Sequence, residues 1–373
     1  MQLHCCFAVF ACKYLSKFLF LEWTIYMTRF LTTLIALALL LPACSFRPTQ
    51  DPETTLIRWD GLEQRPRTDA VAGHYVRYAL MALAAYDEKI HNDDSVTFSR
   101  RVVPALGAWD GLKTELGALP ISVAMDWLDG WKRITENVEK IGPDGKPGYE
   151  RAIGGLGVHL WYKPGDCSEF VVAFRGTNFR EAADWYSNLR WITRILPGYD
   201  QYQQVRDNIK KWVADLSTAC PKDKTPRIVA VGHSLGGGLA QQAAYAHRPV
   251  CHVLAFDPSF VTGYYSTKDS DRNAEGLVID RAYEHGEILA YLRFLIRQVY
   301  PASATDPAIR TVRFDFVDRG SIFDQHSMMA LTAGLIKAAG SPEQWRAKSK
   351  AAIIGPSTGP DCPSRHIPLS RRY

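Results

Sequence analysis

Arg227-Ile-Val-Ala-Val-Gly-His-Ser-Leu-Gly-Gly-Gly-Leu-Ala240 is the stretch on which the fold turns. Its β-branched run, Ile228 to Val231, predicts a buried strand. Gly232-His-Ser-Leu-Gly236 is a G-x-S-x-G, and Leu235 to Ala246 predicts a helix rich in small residues. Strand, tight turn with a serine at its apex, then helix: this context makes the pentapeptide a nucleophile elbow. The turn is so sharp that the serine takes a strained backbone. A side chain two positions to either side would clash, hence Gly232 and Gly236. The helix must then approach the sheet closely, hence Gly237, Gly238 and Ala240. Glycine inside a helix costs about 1 kcal/mol relative to alanine, so the string needs a packing reason, and the elbow supplies one.

Working outward, apolar runs and amphipathic stretches alternate. Val158 to Tyr162 and Glu169 to Phe174 predict two strands, the second running into Arg175-Gly-Thr177. Tyr202 to Leu216 predicts an amphipathic helix with Val205, Ile209, Trp212, Val213 and Leu216 inward. Beyond the elbow helix, Cys251 to Phe256, Leu277 to Tyr283 and Val312 to Val317 predict further strands, and Ser327 to Ala339 a helix. Asp69 to Tyr86 has helical periodicity, with Val71, Tyr75, Tyr78, Ala79, Ala82 and Leu83 on one face. Residues 87–150 read as a packed insertion carrying Trp109, Trp127 and Trp131, helical over Ile121 to Ile141, with a turn at 142–148. Strands alternating with helices predict an α/β fold with a mostly parallel central sheet.

The chain has 373 residues and is 47% hydrophobic, enough for a large core. Its formal charge is only +5. No basic run with interleaved aromatics occurs, which argues against a nucleic-acid partner.

Met27-Thr-Arg29 precedes an apolar run, Phe30 to Leu41, and then Pro42-Ala-Cys44-Ser45. A positive start, a short apolar core and a small residue before the cut describe a secretory signal, too short to span a bilayer as an ordinary helix. Residues 1–43 therefore read as a leader, with Met27 the true start and 27–43 the signal peptide. Leu41-Pro-Ala-Cys44 resembles a bacterial lipoprotein processing site, with Pro42 departing from the usual small residue. The resemblance implies lipidation of Cys44, contact with a membrane surface through several acyl chains, and export to the outer membrane or cell envelope. Residues 44–68, with Pro48, Pro52 and Pro66, read as the lipidated cysteine and a tether. The hydrolase domain is expected over 69–345 and a tail over 346–373. Cys167, Cys220, Cys251 and Cys362 remain for disulfides, with three possible pairings.

Val171-Val-Ala-Phe-Arg-Gly-Thr177, Asp184-Trp-Tyr-Ser-Asn188 and the elbow, in that order, resemble the class 3 lipases, the fungal-lipase-like branch of the α/β-hydrolases. The resemblance covers roughly residues 69–340. It implies hydrolysis of carboxylic esters, often of lipids, by triacylglycerol lipase or phospholipase A1-like chemistry that needs no metal or cofactor. Two other readings stand beside it. One is a carboxylesterase acting on acylated polysaccharide or small esters. The other is an inactive hydrolase fold serving as a surface lipoprotein.

Ser234 is the expected nucleophile. A serine hydroxyl needs a histidine to take its proton and an acid to hold that histidine. The superfamily order is serine, acid, histidine, so the base lies downstream. His326, after a late strand and before a helix, fits best. His285 sits in a loop, His247 and His252 are too near the elbow helix, and His366 is in the tail. His233 reads as a packing residue facing elsewhere. For the acid, Glu287 in Arg281-Ala-Tyr-Glu-His-Gly-Glu287 falls where the family has its aspartate. Asp257 in Phe256-Asp-Pro-Ser259 competes with it, because pancreatic-type lipases place their acid there. The oxyanion needs preorganised donors: the Leu235 N–H after the nucleophile and, by resemblance, Thr177. The family carries a lid between Thr177 and Asn188. There Phe179, Trp185 and Tyr186 either meet an acyl chain or pack under a fixed cover.

Overall fold

A computed structural model describes residues 50–59, 62–86, 107–134, 156–176, 201–220, 226–268, 270–287, 289, 307–317 and 324–349. Five strands lie parallel at the centre: β5 (Glu169–Phe174), β6 (Arg227–His233), β7 (Val250–Phe256), β8 (Val278–Glu284) and β9 (Ala308–Phe314). Antiparallel strands close both sides: β1 (Leu56–Trp59) and β2 (Leu62–Gln64) beyond β9, β4 (Val158–Tyr162) and β3 (Lys132–Ile134) beyond β5. The order is β2-β1-β9-β8-β7-β6-β5-β4-β3. With helices on both faces, this is an α/β-hydrolase fold.

β5, β6 and β7 read as largely apolar runs because both of their faces are covered, whereas β8 and β9 carry buried charges. Val229, Val231, Leu254, Phe256, Val312 and Phe314 pack beneath α1 (Thr68–Ala84) and α6 (Met328–Ala339). The alternate residues Ile228, Ala230, Val253, Ala255 and Ile279 pack beneath α4 (Gln201–Ala219) and α5 (Leu235–Ala246). In α4 the expected stripe Val205, Ile209, Trp212, Val213 and Leu216 is buried. Each such side chain contributes about 1.5–3 kcal/mol on leaving water.

Four sequence expectations change. The stretch 44–68 is not all tether. Leu56 and Ile57 are buried, and β1 pairs with β9 through Ile57↔Val312. Gln50 adds side-chain bonds to the Arg313 carbonyl (2.9 Å) and guanidinium (2.6 Å). The compact unit therefore begins at Gln50 rather than at residue 69.

The helix expected over 121–141 stops early. After α2 (Gly107–Leu116) comes the short α3 (Ser122–Asp126), then Gly130 at φ 76° turns the chain into β3. Trp127 and Trp131 are packed as expected, Trp127 Nε1 donating to Gly340 O. The last parallel strand ends at Phe314 rather than Val317, since the Phe316 and Val317 N–H groups turn to the Glu284 carboxyl. Its charged Arg310 hid its start from the sequence; in the fold Arg310 is buried against its cross-strand neighbour Asp280. A helix α7 (Pro342–Ser349) follows α6. Met1–Thr49 with Cys44, residues 87–106, 135–155 and 177–200, where the lid is expected, and the tail beyond 349 lie outside the described residues. Among the described residues no helix is long and apolar enough to cross a membrane.

Cys167 and Cys220 form a disulfide across 53 residues, tying the turn before β5 to the end of α4. By chain-entropy arguments a loop of that length is worth about 4 kcal/mol. Replacing both cysteines with serine is expected to lower unfolding free energy by about 2–4 kcal/mol in urea titrations. An unchanged midpoint would deny the bridge any such role.

Candidate active site

The elbow forms as the sequence demands. Ser234 caps α5 at φ 56°, ψ −122°, a conformation foreign to L-residues outside strained sites. A Cβ on Gly232 would strike the Gly236 carbonyl, and one on Gly236 would strike the Phe174 carbonyl. The turn is pinned by Ser234 N–H to Phe256 O (2.9 Å) and by Ser259 N–H to Ser234 O (2.9 Å). Leu235 begins α5, so its N–H belongs to the positive end of that helix, where anionic charge is favoured. Thr177 lies outside the described residues. Its neighbour Gly176 is placed over the serine, since a Cβ there would lie 3.3 Å from Ser234 Cβ.

His326 ends a 3₁₀ turn, Asp324–His326, ahead of α6, whose N-cap is Ser327, its side chain accepting from Ala330 N–H. Its Nδ1 lies 2.9 Å from Glu287 Oε2, and both side chains are buried. The same oxygen accepts Leu289 N–H at 2.7 Å. Since the carboxylate can only accept, Nδ1 carries the proton and Nε2 is left as the basic nitrogen of a neutral ring. Asp257 lies near the same ring without taking this place. Its Oδ1 accepts Glu284 N–H (2.9 Å) and its Oδ2 lies 3.8 Å from His233 Nε2. Of the two carboxylates left open by the sequence, Glu287 is the one hydrogen-bonded to the His326 ring.

The other histidines fall outside this pairing. His252 bonds Asp280 within the sheet and His247 closes α5. His285 gives its N–H to Phe314 O. His233 does not face elsewhere: its ring centroid is 4.8 Å from that of His326. Burial, and then the neighbouring His326, hold its pKa far below the ordinary histidine value, so the ring is neutral.

His233, Asp257 and His326 present ligand atoms within 4.8 Å of one another. Tetrahedral zinc with bonds of about 2.0–2.1 Å needs ligand atoms roughly 3.3 Å apart. His233 Nε2 is also engaged with the His326 carbonyl (3.1 Å). The set does not suit a metal as it stands.

Glu284, unmarked by any sequence pattern, joins the two loops of the site. Its Oε1 accepts Phe316 and Val317 N–H (2.7 and 3.0 Å) at the start of the segment leading to His326, and its carbonyl accepts Glu287 N–H (3.5 Å). Burial, aided by Asp257 and Asp315, pushes its carboxyl up to about 8 from an ordinary 4.5. The folded state thus holds an extra proton between those values, so stability falls as pH rises from 4.5 to about 8 and then levels. Glu284→Gln keeps the acceptor without the charge. It is expected to match wild type near pH 5 and exceed it by about 1–3 kcal/mol at pH 9 in urea unfolding. Equal losses in both proteins would contradict this.

Residues 124–252 match a family described as a Tle-like phospholipase domain. That segment holds β3 to β6, the start of β7 and Ser234, but not Asp257, Glu287 or His326. The extracellular phospholipase A1 of Serratia liquefaciens is 39% identical over 98 residues, 26% of this chain and 26% of that protein. The match thus spans about a quarter of that relative's length. Among solved structures, lipase II from Rhizopus niveus is 16% identical with a TM-score of 0.37, over 74% of this chain and 97% of its own. A Rhizomucor miehei lipase–propeptide complex is 14% identical with a TM-score of 0.38, over 79% and 92%.

Proposed function

We propose that this chain is a serine ester hydrolase that cleaves the acyl esters of lipids, with phospholipids as substrate in the manner of a phospholipase A1. The observation that carries the reading is the buried 2.9 Å pair of His326 Nδ1 and Glu287 Oε2, together with a serine held at φ 56° on an elbow. The matches to phospholipase domains support the substrate class.

In this reading Ser234 Oγ attacks the acyl carbonyl and His326 Nε2 takes its proton. Glu287 keeps Nδ1 protonated and stabilises the imidazolium that forms. The developing oxyanion is met by Leu235 N–H at the head of α5 and by Thr177 after Gly176. The C–O bond of the tetrahedral intermediate then breaks. The imidazolium returns its proton to the departing lysophospholipid alkoxide and leaves an acyl-serine. Water, deprotonated by the same imidazole, releases the fatty acid and restores Ser234. The Cys167–Cys220 disulfide supports assembly in an oxidising compartment, as export would require. Anchoring through lipidated Cys44 belongs to the same proposal.

The test is a phosphatidylcholine carrying different acyl chains at its two positions, offered in vesicles beside triacylglycerol and p-nitrophenyl esters of acetyl to palmitoyl length. Release of the sn-1 chain, with fluorophosphonate labelling of Ser234, is expected. Cleavage of acetyl esters alone would favour the polysaccharide or small-ester reading. Absence of both labelling and turnover would leave an inactive hydrolase fold.

A further inference from the structure

Ser234 is preceded by a histidine whose two nitrogens are both engaged. His233 Nε2 lies 3.1 Å from the main-chain carbonyl of His326, and Nδ1 lies 2.7 Å from Tyr86 Oη. A carbonyl only accepts, so Nε2 carries the proton. The ring is neutral, so Nδ1 is an acceptor and the Tyr86 hydroxyl donates to it. Gly176 is packed against the same hydroxyl. The contact is close: a Cβ at Gly176 would collide with both Tyr86 Oη and the His233 carbonyl. Burial keeps the phenol protonated by raising its pKa, so every proton in the chain has one assigned place.

The result is a directional series of two hydrogen bonds, Tyr86 O–H to His233 Nδ1 and His233 Nε2–H to the His326 carbonyl, with Gly176 packed against its Tyr86 end. These residues come from four separate places. Gly176 follows β5 and precedes Thr177. Tyr86 follows α1, His233 closes β6, and His326 ends the 3₁₀ turn before α6. The series and its packing against Gly176 therefore tie the oxyanion end of β5 and the main chain of the base to the residue beside the nucleophile. The sheet alone does not do this, because His326 hangs on a loop after β9. A 1 Å misplacement of reacting groups can cost about 100-fold in rate.

We propose that Tyr86 and His233 are positioning residues, which lock His326 and the strand end before Thr177 to the nucleophile and so set turnover without touching substrate. The inference rests on the serine hydrolase reading above.

The experiment compares wild type with Tyr86→Phe, His233→Gln, His233→Leu and the double variant Tyr86→Phe/His233→Leu. Tyr86→Phe removes one oxygen and keeps the ring. The expected result is a kcat lower by roughly 10- to 100-fold with KM within about twofold. His233→Gln, whose amide can both accept and donate, should recover part of what His233→Leu loses. The double variant should be no slower than His233→Leu, since both break the same series. The fluorophosphonate labelling rate at Ser234 should fall in parallel with kcat. Structural packing alone would predict changed melting temperature with kcat intact. A labelled wild type beside a Tyr86→Phe of unchanged kcat overturns this inference and leaves the hydrolase reading standing, as do losses that multiply in the double variant. A wild type that the probe does not label overturns the hydrolase reading and the inference with it.

Discussion

Ser234→Ala is expected to lower ester turnover by roughly 10⁶-fold, the scale on which loss of a serine nucleophile is felt in enzymes of this chemistry. The substitution is unusually clean here. Alanine suffers the same strain as serine at φ 56°, so the cost of the elbow is unchanged. The bonds that pin the turn run through main-chain atoms, Ser234 N–H to Phe256 O and Ser234 O to the Ser259, Gly237 and Gly238 N–H groups. None of them needs the hydroxyl. Stability should therefore stay within about 0.5 kcal/mol of wild type, as for replacements that touch no cavity, charge or cap. The checks are steady-state release of fatty acid and urea unfolding on the same preparation. Residual activity would reflect the oxyanion donors and binding alone. Turnover near the wild-type rate from a folded Ser234→Ala protein would remove Ser234 from the mechanism.

The contrast between what could and could not be read from the sequence follows the range of the interactions. The elbow was legible because its geometry and its chemistry lie within five consecutive residues. Gly232 and Gly236 are required by a clash that local sequence states, and α5 runs from Leu235 to Ala246 as expected. β4 was legible from its alternating character and β5 from its apolar run. Where a polar residue finds its partner far along the chain, the pattern misled. Arg310 looks like a break in a strand until Asp280, 30 residues away, neutralises it. Leu56–Trp59 looks like part of a proline-spaced tether until β9 supplies its ladder. The reading of His233 failed for the same reason. His233 looked like packing because its partners, Tyr86 and His326, are 147 and 93 residues away. One signal was present: a polar ring at the last position of an otherwise apolar strand, where a partner is obligatory. Glu284 carries no such mark, since its role rests on main-chain groups of the next strand's end.

Glu287→Gln is expected to lower kcat by about 10³- to 10⁴-fold, whereas Asp257→Asn should cost less than about 10-fold. The two carboxylates stood level in the sequence because both follow strand ends that are neighbours in the sheet. Their distances separate them. Glu287 Oε2 receives the His326 Nδ1 proton at 2.9 Å and Leu289 N–H at 2.7 Å. The main-chain turn through Gly286 at φ 79° brings a side chain one methylene longer than aspartate to that place. A glutamine oxygen can accept both bonds in the same geometry. The substitution thus removes charge and leaves orientation, and its cost measures how far the carboxylate stabilises the imidazolium that forms as Ser234 gives up its proton. Asp257 Oδ1 serves Glu284 N–H, and an asparagine oxygen would serve it equally. Its Oδ2 faces His233, 3.8 Å away, a neutral ring whose donor is committed to the His326 carbonyl. An Asp257 oxygen lies within 4.8 Å of a His326 nitrogen, but the 2.9 Å bond to that ring belongs to Glu287, so the smaller loss is expected at Asp257. The measurement is kcat for both variants on one phospholipid, with His326→Ala as the reference for a lost base. If Asp257→Asn proves the crippled enzyme and Glu287→Gln the near-normal one, the acid is Asp257, and the 2.9 Å bond to His326 describes a resting arrangement that substrate rearranges.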